Sequence, residues 1–188
     1  MMRRMKKTLA ACLGAILSAT LLLALDVGGV KLPDTVTVEG KTLSLNGGGI
    51  RKKMLFKVYV AGLYVERPSK DASAILASGE AKSMRLHILR SLKGKQISDA
   101  IEEGFQKNSQ EQIARLKDRL DKLAAMFPDV AEGDEIALTW IPDKGTVVSV
   151  RGTERGTIEG RDFADALFAV WIGPNPVQDD LKKALLGG

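Results

Sequence analysis

Between Lys95 and Met126 apolar residues recur every three to four positions, whereas most other patterned stretches of the chain alternate with period two. A 3.6-residue period buries one stripe of a helix and a two-residue period buries one face of a strand, so neither pattern can serve for the other. In the helical block Ile97, Ile101 and Phe105 form one stripe. Ile113, Leu116, Leu120, Leu123 and Phe127 form the next, with Asn108-Ser109 dividing two helices. The stripe lasts barely two heptads, which suits a domain core better than a coiled coil. Glu111 with Arg115 and Asp118 with Lys122 are spaced to pair across one turn of the wet face.

The alternating stretches lie on both sides of this block. Thr35 to Leu45 reads as a hairpin turning at Glu39-Gly40-Lys41. Asn46-Gly47-Gly48-Gly49 reads as a turn, and Ile50 to Glu66 as one long strand in which Gly62 marks a bulge or a close backbone approach. Met84 to Arg90 places Met84, Leu86 and Ile88 on one face and Arg85, His87 and Leu89 on the other. Ile136 to Ile141 and Thr146 to Val150 are strands joined through Pro142-Asp143-Lys144-Gly145, and Thr153 to Glu159 extends that meander. Shorter helical patterns cover Ser69 to Ser78, Asp162 to Trp171 and Asp179 to Leu186. Strand runs with an inserted helical block, rather than regular βαβ alternation, predict an α+β fold: an antiparallel sheet with helices packed on one face.

Residues 1–25 read differently. Met1 to Lys7 is basic, and Thr8 to Leu25 is an uncharged run rich in Leu and Ala, the pattern of an export signal. No Ala-x-Ala site precedes Asp26, so an uncleaved inner-membrane anchor is the alternative to a cleaved signal peptide. The expected organisation is therefore a leader over 1–25 and one domain over 26–188, placed in the periplasm or secreted.

The formal charge of +5 misleads, because Arg3, Arg4, Lys6 and Lys7 sit in the leader. From Asp26 onward 24 basic residues face 23 acidic ones. That balance argues against a nucleic-acid partner, which would require a basic stripe on the fold. It also leaves the leader as the expected membrane contact.

Cys12, in the leader, is the only cysteine and His87 the only histidine. The domain thus has no disulfide and no thiolate nucleophile, and a multi-histidine metal cluster is excluded. Gly47 to Gly49 is not followed by the Lys-Ser/Thr of a phosphate loop, so no cofactor is expected. His87, on the strand face away from the core pattern, reads as a sheet-face residue, and Trp140 and Trp171 as core. Arg51 opens a strand directly after the glycines, where a guanidinium can grip a carboxylate or phenolate with paired hydrogen bonds.

Leu45-Asn46-Gly47-Gly48-Gly49-Ile50-Arg51 followed by Phe56 to Glu66 resembles the opening motif of the chalcone isomerase-like superfamily. Lys93-Gly94-Lys95-Gln96 resembles a second landmark of that family. Phe163 to Leu167 running into Trp171-Ile172-Gly173-Pro174-Asn175-Pro176-Val177 resembles a third. The resemblance implies an open-faced β-sandwich with a cleft between sheet and helices, and an Arg, here Arg51, for the ligand's oxyanion or carboxylate. In plant chalcone isomerases polar residues complete the cleft. Their places here fall on Tyr59, Ile97, Ala100, Gly104 and Val170, of which only Tyr59 is polar. Cyclisation needs groups that stabilise a developing enolate, and most of them are replaced.

An apolar slot ending at a cation suits a fatty acid or a similar amphipathic anion, in keeping with the fatty-acid binding associated with non-catalytic relatives. The site expected is Arg51 as anchor and Tyr59 as second donor, with Ile97, Ile101, Val170 and Trp171 as walls. An isomerase of the intramolecular-lyase type with another substrate, and a structural envelope protein with a vestigial pocket, are the alternative readings.

Overall fold

Residues 24–188 are described by a computed structural model; the leader expected over residues 1–25 lies outside them, apart from Ala24 and Leu25. Those two open strand β1 (Ala24–Val27), which pairs antiparallel with β2 (Val30–Pro33) in a hairpin not foreseen from the sequence. The other strands are β3 (Thr35–Val38), β4 (Lys41–Lys53), β5 (Phe56–Val65), β6 (Lys82–Ile88), β7 (Glu135–Ile141), β8 (Gly145–Val150) and β9 (Thr153–Ile158). Among the described residues they form one seven-stranded sheet in the order β3-β4-β5-β6-β7-β8-β9, every neighbouring pair antiparallel. Strands consecutive in the chain lie side by side, so the sheet is a meander into which helices are inserted.

The helices are α1 (Ala72–Ala77), α2 (Gly94–Asn108), α3 (Ile113–Ala124), α4 (Arg161–Ile172) and α5 (Asp179–Leu185). Period-two alternation sets which face they cover. Ala61, Leu86 and Ile136 stand side by side across β5, β6 and β7, as do Leu63, Met84 and Leu138. All six are buried in one core with Ile97, Ile101 and Phe105 of α2 and Phe163, Leu167 and Val170 of α4. The expected sheet with helices on one face is thus the architecture observed.

Two expectations for the strands need correction. The stretch Ile50 to Glu66 is not one strand but the end of β4, a turn at Met54-Leu55, and β5. Gly47 to Gly49 do not form a turn: they run through the middle of β4. They are glycines because neighbours press on the strand from both sides. A Cβ on Gly47 would collide with the Ala184 carbonyl, and one on Gly49 would lie 2.8 Å from the Ala184 Cβ, so α5 rests directly on the backbone. On the opposite face a Cβ on Gly48 would collide with Leu32 of β2, and one on Gly62 would lie 3.4 Å from the same side chain. Gly62 pairs with Gly48 in register, so of the two roles expected for it the close approach is the real one.

The i,i+4 pairs also differ. Lys95 pairs with Asp99, Lys107 with Glu103 and Lys117 with Asp121. Arg115 instead reaches Asp162 at 3.3 Å, and Lys122 donates to the Thr157 carbonyl at 2.8 Å. Both cations were drawn off the helix by acceptors that only the tertiary fold supplies. His87 lies half-buried with Nε2 3.2 Å from the Glu135 carboxylate, and burial holds its pKa below the usual histidine value.

The clamp between α3 and α4 carries a pH prediction. Arg119 donates Nη1 and Nη2 to the two oxygens of Asp162, each at 2.8 Å. These bonds hold the carboxyl at about 2, below its ordinary 3.8. The clamp therefore stabilises fully above the unfolded value and is lost as pH falls from near 4 to near 2. Asp162 is about one-third exposed, so solvent screening limits the contribution to about 1 kcal/mol. Urea midpoints measured from pH 6 to pH 2.5 should show a smaller acid-dependent loss in Asp162→Asn than in the parent chain.

Candidate functional site

Three tethers fix the groove between sheet and helices, and each explains a landmark stretch of the sequence. Asn46 sits where the β4–β5 register shifts; its side chain donates to the Ser69 and Leu185 carbonyls and accepts from Ser69 N–H. That bond to Leu185 ties down the end of α5. Lys93-Gly94-Lys95-Gln96 starts α2, where the Gln96 side chain accepts the Lys93 N–H at 2.8 Å and Asp129 accepts the Gly94 N–H at 3.0 Å. A Cβ on Gly94 would run into the Phe127 carbonyl. At the far end of α2, Asn108 donates to the Asn175 carbonyl and accepts the Asn175 N–H, binding the helix to the loop after α4.

The groove holds a cavity of about 450 Å³, inside the range usual for small-molecule sites. All six residues expected at the site line it: Arg51, Tyr59, Ile97, Ile101, Val170 and Trp171. Ala100 and Gly104 line it too. Gly104 is needed there, because a Cβ would lie 2.6 Å from a Val170 methyl.

Arg51 and Tyr59 are direct cross-strand partners on β4 and β5. The Trp171 indole N–H donates to the Tyr59 hydroxyl oxygen at 2.9 Å, which leaves the phenol's own proton free to be donated. Burial raises that phenol to about 12, against smaller opposing effects of the Trp171 bond and the Arg51 charge. It is a hydrogen-bond donor throughout the physiological range. Trp171, expected only as a wall, thus also orients the second donor.

Sequence reasoning missed Gln178, the residue before α5. Its side-chain oxygen accepts from Arg51 Nη1 at 3.2 Å and from the Lys52 N–H at 2.8 Å, while its amide donates to the Ile50 carbonyl at 3.3 Å. Arg51 Nη1 also reaches the Lys52 carbonyl. Both of these bonds use Nη1, and the guanidinium also stands beside the Tyr59 hydroxyl, opposing the rise of its pKa. The guanidinium is held at one nitrogen and has donors left over, which suits it to grip an anion.

The sequence matches the family described as chalcone isomerase-like over residues 24–187. The chain belongs to the chalcone isomerase-like family. A fatty-acid binding protein of Arabidopsis thaliana has the same fold: the two superimpose with a TM-score of 0.67 at 17% identity, over 84% of this chain and 92% of that one. Comparison with curated proteins finds no match.

Most of the cavity wall is apolar. Apart from Arg51 and Tyr59, its polar and charged lining is Lys53, Arg90, Ser91, Gln96, Glu103 and Lys107. Glu103 is held below its ordinary pKa by the Lys107 ammonium 2.6 Å away, so it is an ion-paired carboxylate rather than a poised acid. His87 is not among the lining residues. No set of three or more His, Cys, Asp or Glu among the described residues could hold a metal, and no described helix is long and apolar enough to cross a membrane.

Proposed function

We propose that this chalcone isomerase-like chain is a non-catalytic binder of a fatty acid or a similar amphipathic anion, exported to the periplasm or beyond by its N-terminal segment. One observation carries the reading: a cavity with apolar residues at Ile97, Ala100, Ile101 and Val170 has a cation and a phenolic donor side by side on adjacent strands. Such a site matches a carboxylate joined to a hydrocarbon tail. The name of the Arabidopsis relative supports the same ligand class, by analogy of fold.

The test is native mass spectrometry of the protein isolated from its own cells, followed by organic extraction and titration with saturated fatty acids of increasing length. A stoichiometric bound acid is expected. Affinity should rise roughly fourfold per methylene, from about 0.8 kcal/mol of burial each, until the cavity is full. A protein that is empty on isolation and indifferent to added fatty acids of every length overturns the reading.

A further inference from the structure

The turn between β4 and β5, with the first residue of β5, holds three consecutive apolar residues in solvent: Met54 is 89% exposed, Leu55 97% and Phe56 58%. A cluster of this kind on an otherwise well-buried fold marks an interaction surface. Its borders are basic. Lys52 and Lys53 precede it, Lys57 follows it, and no Asp or Glu occurs from Ile50 to Val60. The Arg90 guanidinium lies over the Phe56 ring, 4.6 Å from its centre.

This tip is continuous with the cavity. Lys53, Met54, Phe56 and Arg90 belong to the cavity lining as well as to the tip. A tail leaving the cavity here would meet apolar side chains first and ammonium groups at their rim.

We propose that the β4–β5 tip docks on an anionic lipid bilayer, with Met54 and Leu55 entering the interface and Lys52, Lys53 and Lys57 at headgroup level, so that the ligand passes between membrane and cavity at this end. Charge complementarity selects this occupant. A second copy docked tip to tip would bring two sets of lysines together, whereas anionic headgroups attract them at about fivefold in partitioning per cation. The proposal rests on the fatty-acid reading for its purpose, but the docking can be measured without it.

The experiment places an environment-sensitive fluorophore on Leu55→Cys in the full chain carrying Cys12→Ser. The dye then reports on the tip whatever the N-terminal segment does. Leu55 is almost wholly exposed and is absent from the cavity lining, so the change spares fold and site. With phosphatidylglycerol–phosphatidylcholine vesicles containing spin-labelled lipid, the dye should shift to the blue and be quenched. Pure phosphatidylcholine should give far less of both, and Lys52→Gln with Lys57→Gln should weaken the response roughly twentyfold. The same dye on Asp143→Cys, in the turn at the other end of the sheet, should stay in water.

An unchanged emission with anionic vesicles overturns the proposal and points to a protein partner. A blue shift that grows with protein concentration in the absence of vesicles overturns it in favour of a second copy. Vesicle-free displacement of a fluorescent fatty acid, run on the same labelled protein, separates the two readings: an inserting tip on a protein that binds no acid would sink only the ligand assignment.

Discussion

Replacing Arg51 by alanine should weaken the binding of a long-chain fatty acid about a hundredfold and leave the fold intact. The guanidinium spends Nη1 on Gln178 and on the Lys52 carbonyl, so most of its donors remain for a ligand beside the Tyr59 hydroxyl. A carboxylate in the cavity would take two of those donors. Charge-assisted bonds contribute about 1.5 kcal/mol or more each, so losing both costs about 3 kcal/mol, or roughly two orders of magnitude in Kd. The fold should tolerate the loss because Arg51 is only half-buried, and the acceptors it leaves can turn to water. Arg51→Lys keeps the charge without the planar fork and should lose about tenfold. Tyr59→Phe removes one neutral donor and should lose less. Displacement of a fluorescent fatty acid, with thermal unfolding in parallel, checks all three. Unchanged affinity in Arg51→Ala would mean that the anion is held elsewhere.

The largest loss of stability should come from a residue outside the cavity, Lys82. It is 2% exposed, yet it carries a charge into the core at the start of β6. Its ammonium donates to the carbonyls of Ile75 at 2.9 Å, Leu76 at 3.2 Å and Ser78 at 3.1 Å, which lie at the C-terminal end of α1. These carbonyls carry the negative end of the helix dipole and have no partner within the helix. Asp165 stands 3.6 Å from the same ammonium. Burial lowers the lysine's pKa and raises that of Asp165, and their mutual attraction opposes both shifts. A helix of six residues does not hold together alone, so α1 depends on Lys82 at one end and on its Asp71 cap at the other. Lys82→Met preserves the volume but strands the three carbonyls and leaves Asp165 with Arg161, 3.5 Å away, as its remaining cation. The expected cost is about 3 kcal/mol, seen as a fall of roughly 10 °C in Tm. A variant within about 2 °C of the parent would show that α1 needs no such partner.

The sequence displayed the sheet and helices clearly wherever burial is one-sided. Met84, Leu86 and Ile88 alternate on the face where α2 and α4 pack, and Leu116, Leu120 and Leu123 repeat at helical spacing because one stripe of α3 is buried. It misled where the cause of a residue lies far along the chain. Gly47 to Gly49 look like a turn, since glycine runs usually are. Here they are strand residues whose side chains have been removed to admit Ala184 and Leu181 on one face and Leu32 on the other. The missing carboxylate partners of Arg115 and Lys122 have the same origin, and so does Gln178, which precedes an ordinary acidic helix start and gives no local sign that it reaches Arg51 across 127 positions.

Local pattern by itself determined most of the strand and helix segments and the face each would bury, and residue type alone gave a domain with one histidine and no cysteine. Those properties follow from side-chain period and residue type, which act over one or two turns. The tertiary structure alone decided that Arg51, Tyr59, Trp171 and Gln178 meet, that Lys82 turns back to cap the helix just before it, and that an apolar tip stands at the edge of the cavity. The first is a juxtaposition of segments whose separation in sequence leaves no periodic trace, and it needs the pairing of β4 with β5 and the packing of α4 and α5 beside them.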